Sequence, residues 1–279
     1  MPATRLVTDS ASDLTREEAA GRGVEIVDLD VRLGEIPPSE TRTWPAERFW
    51  EECAKTDALP ETSAPSPGAF KEAFSRAGEQ GADEVVCVTL SSKLSATYQA
   101  ARTAAESLAR ELPVRVLDSL SVTIGEGYAV LDGAAVAEAG GSADEVEQAV
   151  MATLAGIRMY ATFDTLENLR KGGRIGGAQA FVGSLLSIKP VIEFRDGGVE
   201  PESRQRTRSR SLRYLADKAR SLGALSRLAV MHAAAPDLEV MLDMLAEFYD
   251  RDSIKTSYIG PVIGTHAGPG TVGICCQLA

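Results

Sequence analysis

The chain has 279 residues, a formal net charge of −11, and 44% hydrophobic residues. This length fits one large domain or two ordinary ones, with a core large enough to need no disulfide or metal to hold it. So acidic a chain is repelled by phosphate backbones, which disfavours nucleic acid as a partner.

The first residues, MPATRLVTDSASD, contain no apolar signal core, and no run approaches the ~20 apolar residues of a membrane helix. The four cysteines form no CxxC pair, and no Cys/His group has zinc spacing. We therefore expect a cytoplasmic protein with reduced thiols and no metal centre.

Short apolar strands alternate with longer helical patterns through the first half of the chain. Fully apolar strands such as EVVCVTL are typical of a parallel sheet covered by helices on both faces. The pattern predicts an N-terminal α/β domain with a parallel sheet and flanking helices. The predicted strands are 5–10, 24–33, 84–90 and 114–119. One predicted helix begins at Thr15, and the others cover 95–111, 125–140 and 144–158.

A new strand at 159–165 follows the last of these helices, so we place a domain boundary near residue 158, giving domains 1–158 and 159–279. Asp196-Gly197-Gly198 indicates a hairpin. These elements predict a C-terminal mixed α/β domain. They are an apolar helix at 176–188, the hairpin at 189–201, helices at 212–222 and 237–249, and strands at 226–233, 253–260 and 271–279.

Two hydroxyl-bearing loops precede helical segments. In VTLSSKLSATYQAA a buried strand gives way to a helix near Ser95, and in ETSAPSPGAF Thr62 and Ser63 precede the helical KEAFSRA. A helix N-terminus has unpaired N–H groups and a positive dipole end, so it binds phosphate or carboxylate readily. Simple capping of each helix is the alternative interpretation.

Asp9 follows a strand at the sheet edge where α/β proteins bind ligands. An aspartyl phosphatase nucleophile would occupy such a position. It would need an acid two residues further on, where this chain has Ala11. We therefore interpret Asp9 and Ser12 as residues that organise the loop.

Two segments are basic. LRKGGRIGG carries Arg170, Lys171 and Arg174 at a glycine-rich turn that matches neither a Walker loop nor GxGxxG. ESRQRTRSRSLR carries five arginines between residues 204 and 213. Either segment is a solvated charge cluster or a contact for an anion, in the second case an acidic or phosphorylated partner.

His266 lies in the glycine-rich segment GTHAGPGTVG and is one of two histidines in the chain. The segment has no second histidine and no carboxylate, so metal binding is disfavoured. No GxSxG elbow presents a nucleophile. We expect a flexible loop in which His266 donates a hydrogen bond to an anion, and we interpret His232 as structural.

These patterns indicate an α/β protein that binds a small anionic ligand. They leave open an enzyme, a hydrolase or phosphotransferase with Asp9, Ser95 or His266 as nucleophile or base. A DNA-binding regulator that uses the arginine run is a third interpretation, which the acidic total and the lack of a helix-turn-helix pattern disfavour.

Seven segments of the chain occur in the order found in the DegV family: VTDSASDL, TSAPSPGAF, LSSKLSATYQAA, VLDSLSVTIGEGY, LRKGGRIGG, IKP and PVIGTHAGPG. Between about residues 5 and 275 the chain therefore resembles these bacterial fatty-acid-binding proteins, which serve fatty acid kinase. The resemblance implies two α/β domains that enclose a fatty acid. It implies a carrier without catalysis or cofactor of its own, which presents the carboxylate to a separate kinase for acyl-phosphate formation in phospholipid metabolism.

The resemblance also implies roles for particular residues. Thr62, Ser95 and the backbone of Ala96 would hold the carboxylate, and His266 would face the head group. Arg174 and Arg206 match basic positions linked to the head group and to kinase docking. The residues expected to line the acyl chain are Phe163, Leu166, Phe181, Leu185, Leu186 and Ile188.

Two positions depart from the family pattern. Ala64 stands where the family usually has glutamine, and Ala96 stands where it usually has glycine. Alanine keeps the backbone donor but restricts the backbone conformation.

Overall fold

The structure is a computed structural model that describes residues 3–56 and 58–279, and only the backbone within 182–187. Its strands are β1 (Thr4–Asp9), β2 (Val24–Val27), β3 (Asp30–Arg32), β4 (Glu61–Ser63), β5 (Glu84–Thr89), β6 (Val114–Asp118), β7 (Ile157–Thr162), β8 (Lys189–Arg195), β9 (Gly198–Gln205), β10 (Leu225–His232), β11 (Ile254–Tyr258) and β12 (Val272–Leu278).

The helices are α1 (Arg16–Ala20), α2 (Pro38–Thr41), α3 (Ala46–Cys53), α4 (Pro67–Glu79), α5 (Thr97–Leu108), α6 (Thr123–Glu138), α7 (Ala143–Gly156), α8 (Glu167–Lys171), α9 (Arg208–Ser221), α10 (Leu238–Ala246) and α11 (Pro261–Ala267). Short 3-10 segments cover Ser10–Ser12, Gly176–Ser187 and Arg251–Ser253. Within the described chain, no helix is both long and apolar enough to cross a bilayer.

The chain forms two compact units. The first comprises Met1–Asp30 and Thr62–Ala155, and the second comprises Val31–Glu61 and Gly156–Ala279. The sequence placed all of residues 1–158 in one domain, whereas residues 31–61 group with the second unit.

A specific contact explains this grouping. Nε1 of Trp50, on α3, donates a hydrogen bond to the carbonyl of Ile259 over 3.0 Å. The Trp50 ring also lies where a side chain at position 264 would stand, and position 264 is a glycine. The tryptophan and the glycine thus secure the 31–61 segment to the second unit.

The first unit contains a four-stranded sheet in the order β2-β1-β5-β6, and every neighbouring pair is parallel. This confirms the predicted parallel sheet. The chain leaves β1 for β2 on one side and later places β5 on the other side, so the strand order reverses between β1 and β5. The carboxyl ends of strands at such a reversal form the usual ligand site of α/β proteins.

Helices α4 and α5 pack side by side on this sheet. Phe70 and Phe74 of α4 meet a face of α5 that is built largely from alanine, including Ala101 and Ala104, and all four side chains are buried. Small side chains on one helix and large ones on the other let the two backbones approach closely.

The second unit contains a six-stranded sheet in the order β11-β10-β12-β7-β8-β9. Only β10 and β11 are parallel neighbours, so the sheet is mixed, as predicted. Asp196 and Gly197 join β8 to β9 with φ values of 50° and 77°. Two positive φ angles match the twist of a two-residue hairpin, and the Asp-Gly pair supplies them.

The apolar segment predicted as a helix at 176–188 is a 3-10 helix, in which Ala178 N–H donates to Ile175 O over 3.1 Å. Gly176 has φ +52°, and a Cβ there would meet Val199 O at 2.6 Å. Close approach to β9 therefore requires glycine at this position, at the expense of α-helix propensity.

The first unit buries two acidic side chains beside its sheet. Asp9 and Glu126 are both 0% exposed. Thr8 Oγ1 donates to Glu126 Oε1 over 3.1 Å, and Glu126 Oε2 accepts no hydrogen bond from any described residue. Burial, with the nearby charge of Asp9, raises the pKa of Glu126 well above its usual value. Burial also raises the pKa of Asp9 to about 7.

These acids predict a loss of stability with rising pH. The folded protein holds protons that the unfolded chain releases near pH 4 to 5, so the free energy of unfolding falls as pH rises above that range. We expect the free energy of unfolding of Glu126→Gln to equal that of the parent protein at pH 5. At pH 8 it should be higher than that of the parent by about 1 kcal/mol or more. Urea unfolding at both pH values measures this difference.

The control is Glu79→Gln, which changes an exposed glutamate on α4 and should leave the pH dependence as it is. Parallel stability curves for the parent protein and Glu126→Gln between pH 5 and 8 would contradict the prediction.

Candidate functional site

The carboxyl edge of the parallel sheet receives the N-terminal ends of two long helices. Helix α4 leads into the start of β5, and α5 follows the end of β5. Both helices therefore run antiparallel to β5 and begin at the same edge. Ser95 lies in the loop that enters α5, and Thr62 lies on β4 shortly before the Ser66 cap of α4, so both residues precede helices that begin at this edge.

Ser95 is half-buried in the loop before α5. Its Oγ accepts the Thr97 amide over 3.3 Å and lies 2.8 Å from Thr97 Oγ1. The N-cap position of α5 is Ala96, which is exposed and provides no side-chain acceptor. Ala96 has φ −77°, which alanine adopts without strain, so the usual family glycine is not required for this conformation.

Thr62 is half-buried on β4. The cap of α4 is Ser66, whose Oγ accepts the amide of Ala69 over 3.2 Å. The capping role that the sequence pattern offered to Thr62 therefore belongs to Ser66, and Pro67 follows as the first helical residue.

Asp9 organises this edge, as the sequence indicated. Its Oδ1 accepts the Ala11 amide and its Oδ2 accepts the Leu90 amide, each over 2.9 Å. Ser12 Oγ donates to the Asp9 carbonyl over 2.8 Å. A fully buried carboxylate with both oxygens engaged presents no face for nucleophilic attack.

The β5–α5 loop is held by a second carboxylate. Asp118 Oδ1, at the end of β6, accepts the amides of Ser92 and Leu120, each over 3.1 Å. Ser91 N–H donates to the Ser121 carbonyl over 2.9 Å. These bonds fix the backbone that leads to Ser95, so its hydroxyl is presented from a rigid support.

His266 belongs to the second unit, and the expected flexible loop is wrong for it. The residue lies in the last turn of α11, which begins with Pro261. Glycine-rich composition suggested a loop, but Gly264 lies inside the helix, where it is glycine because the Trp50 ring occupies the space of a side chain. The turn itself comes later, at Gly268 and Gly270, whose φ values are 81° and 75°.

The basic glycine turn after α8 packs against this histidine. A Cβ added at Gly172 would overlap Nδ1 of His266. Asn168 Nδ2 donates to the Thr265 carbonyl over 3.2 Å and so ties α8 to α11. Arg174 Nη1 donates to the Gly172 carbonyl over 2.5 Å. The KGGR segment thus forms one wall around the imidazole.

Burial, with the positive charge of Arg174, lowers the pKa of His266 to about 4. The imidazole is therefore neutral at pH 7, with one nitrogen as donor and the other as acceptor. His232, which ends β10, is buried and packs on Tyr258 with ring centroids 4.2 Å apart, consistent with the structural role expected for it.

Most of the arginine run has partners within the second unit. Arg208 forms a two-pronged ion pair with Asp237, and Arg213 forms one with Glu247. Arg204 lies 4.8 Å above the Phe181 ring. Arg206 and Arg210 are exposed and form no ion pair with any residue that the structure describes.

Three of the six apolar residues expected to line an acyl chain lie in one cluster of the second unit. Phe163, Leu166 and Phe181 are buried there. Their cluster includes Ile175 and Ala267, the neighbours of Arg174 and His266 in the chain. Ile188 is half-buried, and the side chains of Leu185 and Leu186 lie outside the described residues.

Sequence reasoning missed two residues that shape these sites. Thr97 contacts the Ser95 hydroxyl, and Gly172 makes room for His266. The sequence signal for Thr97 was its position two residues after Ser95 at a helix start. Gly172 had no such signal, because its contact is with a residue far along the chain.

Among the described residues, no group of three or more His, Cys, Asp or Glu side chains could hold a metal ion.

The fold defines an α/β protein with a parallel four-stranded sheet in one unit and a mixed six-stranded sheet in the other. A family model described as "Uncharacterised protein, DegV family" matches residues 3–278. The chain belongs to the DegV family.

Individual relatives agree over the whole length. A DegV domain-containing protein of Streptomyces coelicolor is 37% identical over 273 residues, covering 96% of each chain. A Thermus thermophilus DegV family protein, described for its fatty acid binding, is 30% identical with a TM-score of 0.87 and 100% coverage of both chains. Bacillus subtilis DegV, described as a fatty acid binding protein, is 29% identical with a TM-score of 0.83, covering 99% of this chain and 100% of that one.

The packing of Gly172 on His266 predicts a strong coupling between the two positions. Gly172 has φ −73°, so alanine fits its backbone angles. A Cβ there would clash mainly with the imidazole, and it would also come within 3.1 Å of the Asn168 carbonyl. We expect Gly172→Ala to lower the free energy of unfolding by about 1–3 kcal/mol. In a His266→Ala background the same change should be close to neutral, because the imidazole is gone and only the contact with the Asn168 carbonyl remains.

A double-mutant cycle by urea unfolding measures this coupling. Gly198→Ala is the matched control, because its Cβ would come no closer than 3.8 Å to another residue. Equal effects of Gly172→Ala with and without the imidazole would contradict the packing argument.

Proposed function

We propose that this protein binds one long-chain fatty acid, buries its acyl chain, and presents the carboxylate to a separate fatty acid kinase that forms the acyl phosphate. The observation that carries the proposal is full-length family membership together with the fatty acid binding of the Thermus thermophilus relative. The seven DegV segments of the sequence support the same conclusion.

The proposed carboxylate contacts in the first unit are the hydroxyls of Ser95 and Thr62 and the backbone of Ala96. A carboxylate leaving water needs strong donors to replace its hydration. Support comes from the start of α5, where the N-cap has no side-chain acceptor and the positive end of the helix dipole favours an anion. Hydrogen bonds to a charged group contribute about 1.5–3 kcal/mol each.

For the acyl chain we propose contact with Phe163, Leu166, Phe181 and Ile188, and with Leu185 and Leu186 on the sequence resemblance alone. Each buried CH₂ contributes about 0.8 kcal/mol, so a long chain gains on the order of 10 kcal/mol before the cost of association. Most of the affinity would then come from the chain, and selectivity for an acid would come from the head-group contacts.

In the second unit we propose that His266 donates a hydrogen bond to the head group and that Arg174 contributes positive charge near it. The low pKa of His266 supports a neutral donor. Such a donor can serve both the carboxylate and the more highly charged acyl phosphate without itself changing its protonation state.

For kinase docking we propose Arg206. It is exposed and without an ion pair among the described residues, so it can engage an acidic partner surface at little cost. Because the chain as a whole has a negative net charge, a local positive group would orient an acidic partner surface toward this position.

Loss of the Ser95 hydroxyl should weaken fatty acid binding. We expect Ser95→Ala to raise the Kd for palmitate about 10- to 100-fold, because a hydrogen bond to a charged group is lost. Thr62→Val should act in the same direction. Titration calorimetry on lipid-stripped protein gives the Kd values, and native mass spectrometry gives one ligand per chain.

Ser92→Ala is the control, since Ser92 is exposed in the same loop and uses its backbone amide to hold Asp118. No affinity of the stripped parent protein for any C16 or C18 acid would overturn the proposed function. Unchanged affinity in Ser95→Ala and Thr62→Val together would overturn the assignment of the carboxylate site alone.

Arg206→Ala should separate kinase docking from ligand binding. We expect an unchanged Kd for palmitate and a KM for the loaded protein raised about fivefold to tenfold in acyl-phosphate formation by a fatty acid kinase with ATP. The increase should shrink at high ionic strength as the parent interaction is screened.

Arg213→Ala is the matched control on α9, because that arginine is already paired with Glu247. Equal KM values for Arg206→Ala and Arg213→Ala would contradict the docking role.

A further inference from the structure

The hydroxyl of Ser95 has a neighbour that no sequence pattern assigned to the site. Thr97 is the first residue of α5 and is 0% exposed. Its Oγ1 lies 2.8 Å from Ser95 Oγ, and either oxygen could be the donor by distance alone. The direction of this bond decides what the Ser95 hydroxyl can offer to a ligand.

The acceptors available to each hydroxyl decide the direction of the hydrogen bond. Within the part of the chain that the structure describes, the Thr97 hydroxyl makes no hydrogen bond other than the one with Ser95. If Ser95 were the donor, the buried O–H of Thr97 would have no acceptor, and a buried donor without a partner is costly. Ser95 is half-buried, so its own O–H can turn outward instead. Thr97 therefore donates and Ser95 accepts.

The acceptor capacity of Ser95 is then used up. A hydroxyl oxygen has two lone pairs. One accepts the Thr97 O–H, and the other accepts the Thr97 amide over 3.3 Å. What Ser95 has left is its own hydrogen, so it can only donate to a ligand. A donor that itself accepts a hydrogen bond is also polarised, which strengthens the bond that it donates.

We propose that Thr97 is a positioning residue that fixes Ser95 as a pure hydrogen-bond donor and so makes the site select an ionised carboxylate over an alcohol of the same chain length. This inference rests on the proposed function. A carboxylate is an acceptor only and matches a donor-only partner. An alcohol competes better when Ser95 can also accept, because the alcohol O–H can then donate to it.

The test compares palmitate with 1-hexadecanol on lipid-stripped protein. In Thr97→Val, which keeps the shape of threonine without its hydroxyl, we expect the Kd for palmitate to rise about threefold to tenfold. The Kd for hexadecanol should stay the same or fall. The preference for the acid over the alcohol therefore shrinks, and Thr97→Ser should restore it.

Two further variants serve as a control and as a replacement for Thr97→Val. Thr103→Val removes a threonine hydroxyl from the exposed face of α5, where it donates to the Gln99 carbonyl, and should leave both Kd values unchanged. Thr97→Ala removes the same hydroxyl from a smaller side chain and replaces Thr97→Val should that variant fail to fold, as judged by thermal unfolding.

The possible results distinguish a failure of this inference from a failure of the proposed function. A parent protein that binds neither palmitate nor any other C16 or C18 acid overturns the proposed function and this inference with it. If the parent binds palmitate and Ser95→Ala weakens it, unchanged selectivity in Thr97→Val overturns the role of Thr97 alone. Equal losses for acid and alcohol in Thr97→Val also overturn it, since a purely structural role would produce that result.

Discussion

The candidate site of the first unit depends on one buried carboxylate. Asp9 accepts the amides of Ala11 and Leu90 and so joins the end of β1 to the end of β5, where the strand order of the sheet reverses. Burial raises the pKa of this carboxyl group to about 7, and the two amide donors act against that rise because they favour the ionised form. A residue that resembles a nucleophile in the sequence thus serves as the support for the loop that leads to Ser95.

Two glycines determine the packing around His266 in the second unit. Gly172 and Gly264 have no side chain, and the space that a side chain would fill is occupied by His266 at the first position and by Trp50 at the second. The helix that carries His266 is therefore clamped between α3 and α8 by aromatic and imidazole rings that only glycine can accommodate. Interiors packed to this density have little room for a histidine to change its orientation, so the direction of the imidazole is set by the backbone around it.

Sequence periodicity predicted the strands and the long helices well, because both follow from burial patterns that a few adjacent residues display. It failed where distant contacts override local preference. Gly176 must be glycine because Val199 approaches it at a positive φ, and Gly264 must be glycine because the Trp50 ring occupies the space of a side chain. The hydroxyl loops were found from their position before helices, whereas the role of Thr97 required the distance between two oxygens. The residues proposed for the acyl chain look the same in sequence as any core residue.

The bond between Trp50 and Ile259 spans 209 residues of chain, and it has a consequence for the order of folding. During synthesis, residues 62–155 complete the sheet of the first unit before Ile259 exists, while the 31–61 segment, already made, still lacks its partners. Until Ile259 is made, the nascent chain therefore carries Trp50 on a segment whose hydrogen-bond partner in the second unit is absent. Closing so long a loop is entropically slow, so docking of this segment is expected to be a late step in reaching the native state.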